Sequence, residues 1–332
     1  YESGVLSSVS TTAVFPSTDT TKGLTYKVVV TPNDGIGDGA SGEAEITIDN
    51  TDPIVDSITI DPSTGVTTTT ELTCVVSASD ADGDTPTLSY SWTNATTGSA
   101  LGSSDTLTLT TSTASPNDSI TCEVTATDDE GAIDTDSASV TVDNTDPVVD
   151  LVSISPSTGV TTSTELTCTA SASDADGDTP TLAYVWTNAT TGSLLGTSDT
   201  VTLNPADSAP SDVITCDVTA TDADGGTDSG SDSVTVENTD PVLSDVVVTP
   251  DVGVTTSTTL TCTASATDAD GGTPTLAYVW TNDTTGSALG IGTTLTLTPA
   301  TSAPSDSITC AVTVTDADGG TDAGSDSVTV EN

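Results

Sequence analysis

Glu71-Leu72-Thr73-Cys74-Val75-Val76-Ser77-Ala78 and Thr87-Leu88-Ser89-Tyr90-Ser91-Trp92-Thr93 are two alternating runs flanking the turn-forming segment Asp80-Ala81-Asp82-Gly83-Asp84. Alternation puts Leu72, Cys74 and Val76 on one face of a half-buried strand, and Leu88, Tyr90 and Trp92 on one face of the next. Moving outward, Val55–Ile60 reads as a strand before this pair, ended by Asp61-Pro62. Asp105–Thr111, Ser119–Thr127 (carrying Cys122) and Ser137–Asp143 follow it, with a short strand near Ala100-Leu101. About seven strands with a turn signal every ten residues or so is a sandwich count. The expected class is all-β.

The same pattern returns at a fixed offset. Cys74, Cys168 and Cys262 are 94 residues apart, as are Cys122, Cys216 and Cys310, and Trp92, Trp186 and Trp280. The segment Asp49-Asn50-Thr51-Asp52-Pro53 returns as Asp143-Asn144-Thr145-Asp146-Pro147 and as Glu237-Asn238-Thr239-Asp240-Pro241 at the same interval. A repeat of this length without slippage marks a tandem array. The boundaries expected are 51–144, 145–238 and 239–332, with 1–50 supplying the later part of a further domain. In that first part Tyr26–Val30 takes the place of the penultimate strand and Glu43–Asp49 that of the last. Half a sandwich leaves an apolar face and open edges. It is expected to be completed either by preceding chain, with Tyr1-Glu2-Ser3-Gly4-Val5-Leu6 as a continuation, or by strand addition from another subunit.

The Cys–Trp–Cys order resembles the immunoglobulin fold, in which a disulfide joins the two sheets and a tryptophan packs against it. The resemblance covers all three full repeats and implies tandem seven-stranded Ig-like β-sandwiches. It implies the pairs Cys74–Cys122, Cys168–Cys216 and Cys262–Cys310. Zinc is a poor alternative, because histidine is absent and no CxxC occurs. Cysteines 48 positions apart, once bridged, stabilise by about 4 kcal/mol on the chain-entropy model. Disulfides of this kind point to an oxidising, extracellular or cell-surface location.

Charge narrows the function further. Of 332 residues, 50 are acidic and only two, Lys22 and Lys27, are basic, for a net charge of −48. No basic footprint for nucleic acid can be built from two lysines. No run of 18 apolar residues exists to span a membrane. Without histidine or arginine, and with the cysteines paired, a nucleophile–base constellation is hard to assemble, so no enzyme is expected.

The acid is concentrated. Asp80, Asp82 and Asp84 recur as Asp174, Asp176 and Asp178 and as Asp268 and Asp270, with Gly272 in the last place. A second loop, between the last two strands, holds Asp128, then Asp222 and Asp224, then Asp316 and Asp318. The linkers add Asp49, Asp52, Asp143, Asp146 and Asp240. In an Ig-like sandwich both loops lie at the pole where the first strand enters, so the linker crosses over them; Asp118, Asp212 and Asp306 are expected at the opposite pole, beneath the next linker. Ca²⁺ takes roughly six to eight oxygen ligands at about 2.4 Å and relieves crowded carboxylates. The arrangement looks like cadherin-type repeats, where acidic linkers and loops share interdomain calcium, and that resemblance implies a calcium-stiffened rod. The alternative is that Asp and Gly serve as turn residues on a solvated surface. Taken whole, the chain resembles a bacterial or archaeal surface protein with tandem Ig-like repeats.

Sequons occur at Asn94, Asn188, Asn282 and Asn117, and the Thr67–Thr70 run offers sites for O-linked sugar. The function expected is a structural component of an extracellular filament or surface fibre, with copies of itself as partners. The stalk of an adhesin is the alternative.

Overall fold

The computed structural model describes Val14 and residues 16–332; the reading of Tyr1–Leu6 falls outside the described residues. Residue contacts divide the described chain into two compact units. The first runs to Thr145 and takes in Ala175–Gly177, and the second is Asp146–Asp174 with Asp178–Asn332.

The first unit opens with β1 (Thr25–Val30) paired antiparallel to β2 (Gly42–Thr47). Lys27 pairs with Glu43 and Glu45 across this two-stranded sheet. Its apolar side chains are poorly covered, with Val30 62% and Ile46 65% exposed. A complete sandwich follows: β3 (Ile54–Asp61), β4 (Glu71–Ser79), β5 (Thr87–Asn94), β6 (Ser99–Gly102), β7 (Thr106–Thr108), β8 (Ser119–Thr127) and β9 (Ile133–Thr141). They form a three-stranded sheet, β3-β4-β7, and a four-stranded one, β6-β5-β8-β9. The second unit holds the same order twice. Its first copy is β10 (Val148–Ser155), β11 (Glu165–Ser173), β12 (Thr181–Asn188), β13 (Ser193–Gly196), β14 (Thr200–Thr202), β15 (Val213–Thr221) and β16 (Thr227–Thr235). Its second is β17 (Val242–Thr249), β18 (Thr259–Thr267), β19 (Thr275–Asn282), β20 (Ser287–Ile291), β21 (Thr294–Thr296), β22 (Ser307–Thr315) and β23 (Thr321–Thr329). The fold is a tandem of seven-stranded Ig-like sandwiches.

Each core is small and built around one staple. Cys74 on β4 is bonded to Cys122 on β8, so the disulfide joins the two sheets; Cys168–Cys216 and Cys262–Cys310 repeat it. Trp92 lies opposite Cys122 in the β5–β8 register, fully buried among Leu72, Ile120, Val124 and Val140. Its indole Nε1 donates to Ser104 O (2.9 Å), as Trp186 does to Ser198 O and Trp280 to Gly292 O. A buried donor left without a partner would cost about 1–3 kcal/mol, so the bond lets the largest side chain sit in an apolar centre.

Two strands depart from the alternation reading. The fifth covers only Thr106–Thr108, because the chain turns at Thr110: the Thr113 amide donates to Thr110 O and the Thr110 amide to Thr113 Oγ1. The last strand starts at Ile133, four residues earlier than expected, through the polar Asp134-Thr135-Asp136. There an aspartate does a backbone's job. The amides of Val55, Val149 and Leu243 on the first strands donate to Oδ2 of Asp134, Asp228 and Asp322 on the last (2.8–2.9 Å). A second bond of this type, Ile154 to Asp232 and Val248 to Asp326 (2.8 Å each), has no counterpart in the first sandwich, where Ala138 stands in that place.

These amide bonds favour the ionised carboxylate and hold Asp228 and Asp322 below the ordinary aspartate range. A depressed folded-state value contributes stability that is complete above the unfolded value and is lost as pH falls through the folded one. Denaturation followed by tryptophan fluorescence is therefore expected to show stability falling below about pH 4, with the fall reduced in Asp228→Asn. At neutral pH, Asp232→Ala is expected to cost about 1–3 kcal/mol by leaving the Ile154 amide unpaired.

Candidate functional site

The linker is docked onto the sandwich it leaves before it crosses to the next. The amides of Asp143 and Glu237 donate to Val66 O and Val160 O (2.6 Å each), and Glu237 Oε1 accepts from the Gly159 amide (2.8 Å). In the next turn of the chain, the threonine of the linker is gripped by the middle aspartate of the first acidic loop. The amides of Thr51, Thr145 and Thr239 donate to Oδ2 of Asp82, Asp176 and Asp270, at 2.7 Å in each case.

The other oxygen of that aspartate reaches further. In the first unit Thr68 Oγ1 donates to Asp176 Oδ1 (2.7 Å), and in the second Thr162 Oγ1 donates to Asp270 Oδ1 (2.7 Å). Thr68 is fully buried and Thr162 is 1% exposed. One carboxylate thus takes a linker amide and a hydroxyl from the turn before β4 or β11, a bidentate latch with no apolar component. Charge-assisted bonds of this type are short and about twice as strong as neutral ones. Within the Thr67–Thr70 run, Thr68 is spent on the latch and closed to a sugar, while Thr69 is exposed. Charge patterning pointed to Asp176 and Asp270; nothing in the sequence marked Thr68 or Thr162 among so many threonines.

The second acidic loop turns inward on its own backbone. Asp222 Oδ1 accepts the amides of Asp224, Gly225 and Gly226 (2.6–2.9 Å), and Asp316 Oδ1 those of Asp318 and Gly320 (2.9 and 2.7 Å). Asp128 Oδ1 accepts from Ala132 (2.8 Å). The first loop has the same kind of turn, with the Asp82 and Asp270 amides donating to Oδ1 of Asp80 and Asp268 (2.7 and 2.8 Å). The linker asparagine then ties the two regions: Asn50 Nδ2 donates to Asp128 Oδ2 (2.6 Å) and Asn238 Nδ2 to Asp316 Oδ2 (3.0 Å). That asparagine bond is the main reason Asp128 and Asp316 sit below the ordinary carboxylate range.

Whether these oxygens suit a cation can be read at Gly320. A methyl on its α-carbon would lie 2.5 Å from Asp240 Oδ1, 2.5 Å from Asp316 Oδ2 and 2.7 Å from the Asn238 amide nitrogen. Two carboxylate oxygens and the Asn238 amide nitrogen thus converge on one small cradle, and Oδ1 of the same carboxamide is buried without a hydrogen bond. Asp80 Oδ2 is likewise buried and unbonded. Among the described residues no group of three histidine, cysteine, aspartate or glutamate side chains comes together tightly enough to hold a metal. The two carboxylates are hard oxygen donors that suit Ca²⁺, while the Asn238 carboxamide turns its nitrogen to the cradle and its oxygen away from it. Asp49, Asp52, Asp129, Asp143, Asp146, Asp224 and Asp318 are exposed around the acidic segments, while Asp84, Asp174 and Asp178 are half-buried.

Two sets of expected sites are corrected. Asn94, Asn188 and Asn282 are 0–1% exposed, and each Nδ2 donates both to an aspartate (Asp118, Asp212 or Asp306, 2.7 Å) and to a backbone carbonyl (3.0–3.2 Å). A nitrogen so enclosed has no room for a sugar. Asp118, Asp212 and Asp306 are 7% exposed and bound into this internal knot, so they are not placed to serve the next linker. Asn117 is the sequon residue that lies exposed.

No protein-family model matches the sequence, and no curated protein matches it. Solved structures that align with it include a tetra-tandem repeat from the extending region of a large adhesion protein, with 18% identity, a TM-score of 0.36, and coverage of 92% of this chain and 81% of that one. A Ca²⁺-stabilized adhesin with which an Antarctic bacterium binds ice gives 16%, 0.35, 92% and 81%. Immunoglobulin domains 1–5 of Sidekick-1 give 16%, 0.32, 92% and 66%. At these scores none of them identifies a function for this chain; the fold rests on strand order and disulfides. Among the described residues no helix is long and apolar enough to cross a membrane.

Removing the latch hydroxyl tests its weight. Thr162→Val keeps shape and leaves Asp270 with one bond fewer, so a loss of about 1 kcal/mol is expected. It should appear as faster hydrogen exchange at the Thr239 amide, with the Thr51 amide unchanged.

Proposed function

We propose that this chain is a non-enzymatic structural spacer of an extracellular filament, surface fibre or adhesin stalk, built from domains at 51–144, 145–238 and 239–332. The observation that carries this reading is the latch, which recurs in each compact unit with the same atoms at the same 2.7 Å distances. A sequence that repeats its linker contact this faithfully is specifying how successive domains are joined. Three disulfides fit secretion.

Calcium belongs to the same proposal. Asp240 and Asp316 would hold the ion at the cradle beside Gly320, with the Asn238 carboxamide turned to present Oδ1 in place of Nδ2, and the ion would supply the positive charge that the second unit entirely lacks, both lysines lying in the first. It would oppose the mutual repulsion of the linker and loop carboxylates, an interaction that salt screens only weakly at such short range. Asn117 is the residue proposed for any N-linked sugar.

Melting with and without a chelator tests the metal. Calcium is expected to raise the midpoint by several degrees, the shift given by about 2–3 kcal/mol at one hundred times Kd. Gly320→Ala, which fills the cradle, is expected to remove most of that shift. Equal midpoints with calcium and with chelator in the unmutated chain would refute calcium binding, and flexible, unaligned particles in electron micrographs would refute the spacer.

A further inference from the structure

We infer that the two acidic loops beside the first linker are gathered around the chain's own ammonium group, Lys22, in place of the divalent ion proposed for the linker at Glu237–Pro241. The inference rests on the calcium reading above and adds to it a difference between linkers. Lys22 Nζ donates to Asn50 Oδ1 (3.2 Å) and forms ion pairs with Asp84 and Glu130. An ammonium carries three donors, and each has an oxygen here. Positions equivalent to Lys22 at the 94-residue offset are Pro116, Pro210 and Pro304, so no other linker can draw on such a group.

Equivalent atoms make the comparison direct. Asn50 matches Asn238, Asp128 matches Asp316, and both asparagines donate Nδ2 to those aspartates. Asn50 Oδ1 receives the lysine; Asn238 Oδ1 is buried with no hydrogen bond. The same carbonyl oxygen therefore meets a tethered cation in one linker and has an unmet need for one in the other. A second difference is independent of the first. The residue matching Gly320 is Ala132, whose methyl group stands where the other linker keeps the cradle open. Its amide keeps the equivalent bond, to Asp128 Oδ1 at 2.8 Å against 2.7 Å for Gly320 to Asp316, so the loop backbone is alike in the two places. Asp80 Oδ2 stays unbonded beside the first linker, which leaves some pull on an ion there, but with the carboxamide oxygen taken and the cradle filled. A tethered ammonium is present whatever the calcium concentration, so the first linker keeps one positive charge among its carboxylates when the other is stripped.

The test compares the full chain with Lys22→Gln/Ala132→Gly by calorimetric calcium titration. The double variant is expected to take up one more ion per chain than the unmutated protein. In chelator, Lys22→Gln alone is expected to speed hydrogen exchange at the Thr51 amide at least fivefold while leaving Thr239 as it was. Calcium uptake by the unmutated chain with no extra ion in the double variant overturns this inference and spares the calcium reading. Absence of calcium uptake by either protein overturns both.

Discussion

Backbone N–H groups are this chain's main answer to its own negative charge. With 50 acidic residues and two lysines, few carboxylates can meet a basic partner, and a sandwich cannot fold with charges repelling at its seams. Aspartates therefore sit where amides are exposed: across the seam between first and last strands, at the start of each acidic turn, and on the linker threonine. Each such bond satisfies a donor the backbone must otherwise lose to water, and stabilises the ionised acid. Fold and linker use one device.

This explains how so thin a core suffices. A third of the residues are hydrophobic, and the contiguous apolar cluster of each sandwich is a dozen or fewer buried side chains, one tryptophan and the disulfide cysteines included. The Asn94–Asp118 knot and its copies close one end of the sandwich with polar groups that are fully partnered, where a larger protein would place apolar bulk. Polar interiors of this kind tolerate no half-measures, because an unmatched member costs more than the pair contributes.

Much of this was legible in the sequence, and the limits have physical causes. Cysteine, tryptophan and strict alternation revealed the sheets and the staples, because a period of two is imposed by the pleat itself. The last strand was misplaced at its start because Asp134-Thr135-Asp136 looks like a loop until its carboxylate is seen bonding a neighbouring strand. The sequons misled because a three-residue pattern says nothing of burial, and the asparagines in question are internal. The acidic loops stood out by charge, but which oxygen serves turn, linker or cation depends on atoms brought from distant positions. Lys22 stood out only as one of two basic residues, and Ala132 and Gly320 carried no signal beyond their shared place in the repeat.

The covalent cross-link also governs what happens to a sandwich that is pulled. Cys74 and Cys122, 48 positions apart, are held with α-carbons at 6.4 Å, so tension travels through sulfur and bypasses the intervening strands. Only the segments outside the bond can pay out, each residue adding about 3.3–3.6 Å when extended, and about half of every 94-residue repeat stays shielded from load. A chain stapled this way yields a short, fixed length per repeat and then stops.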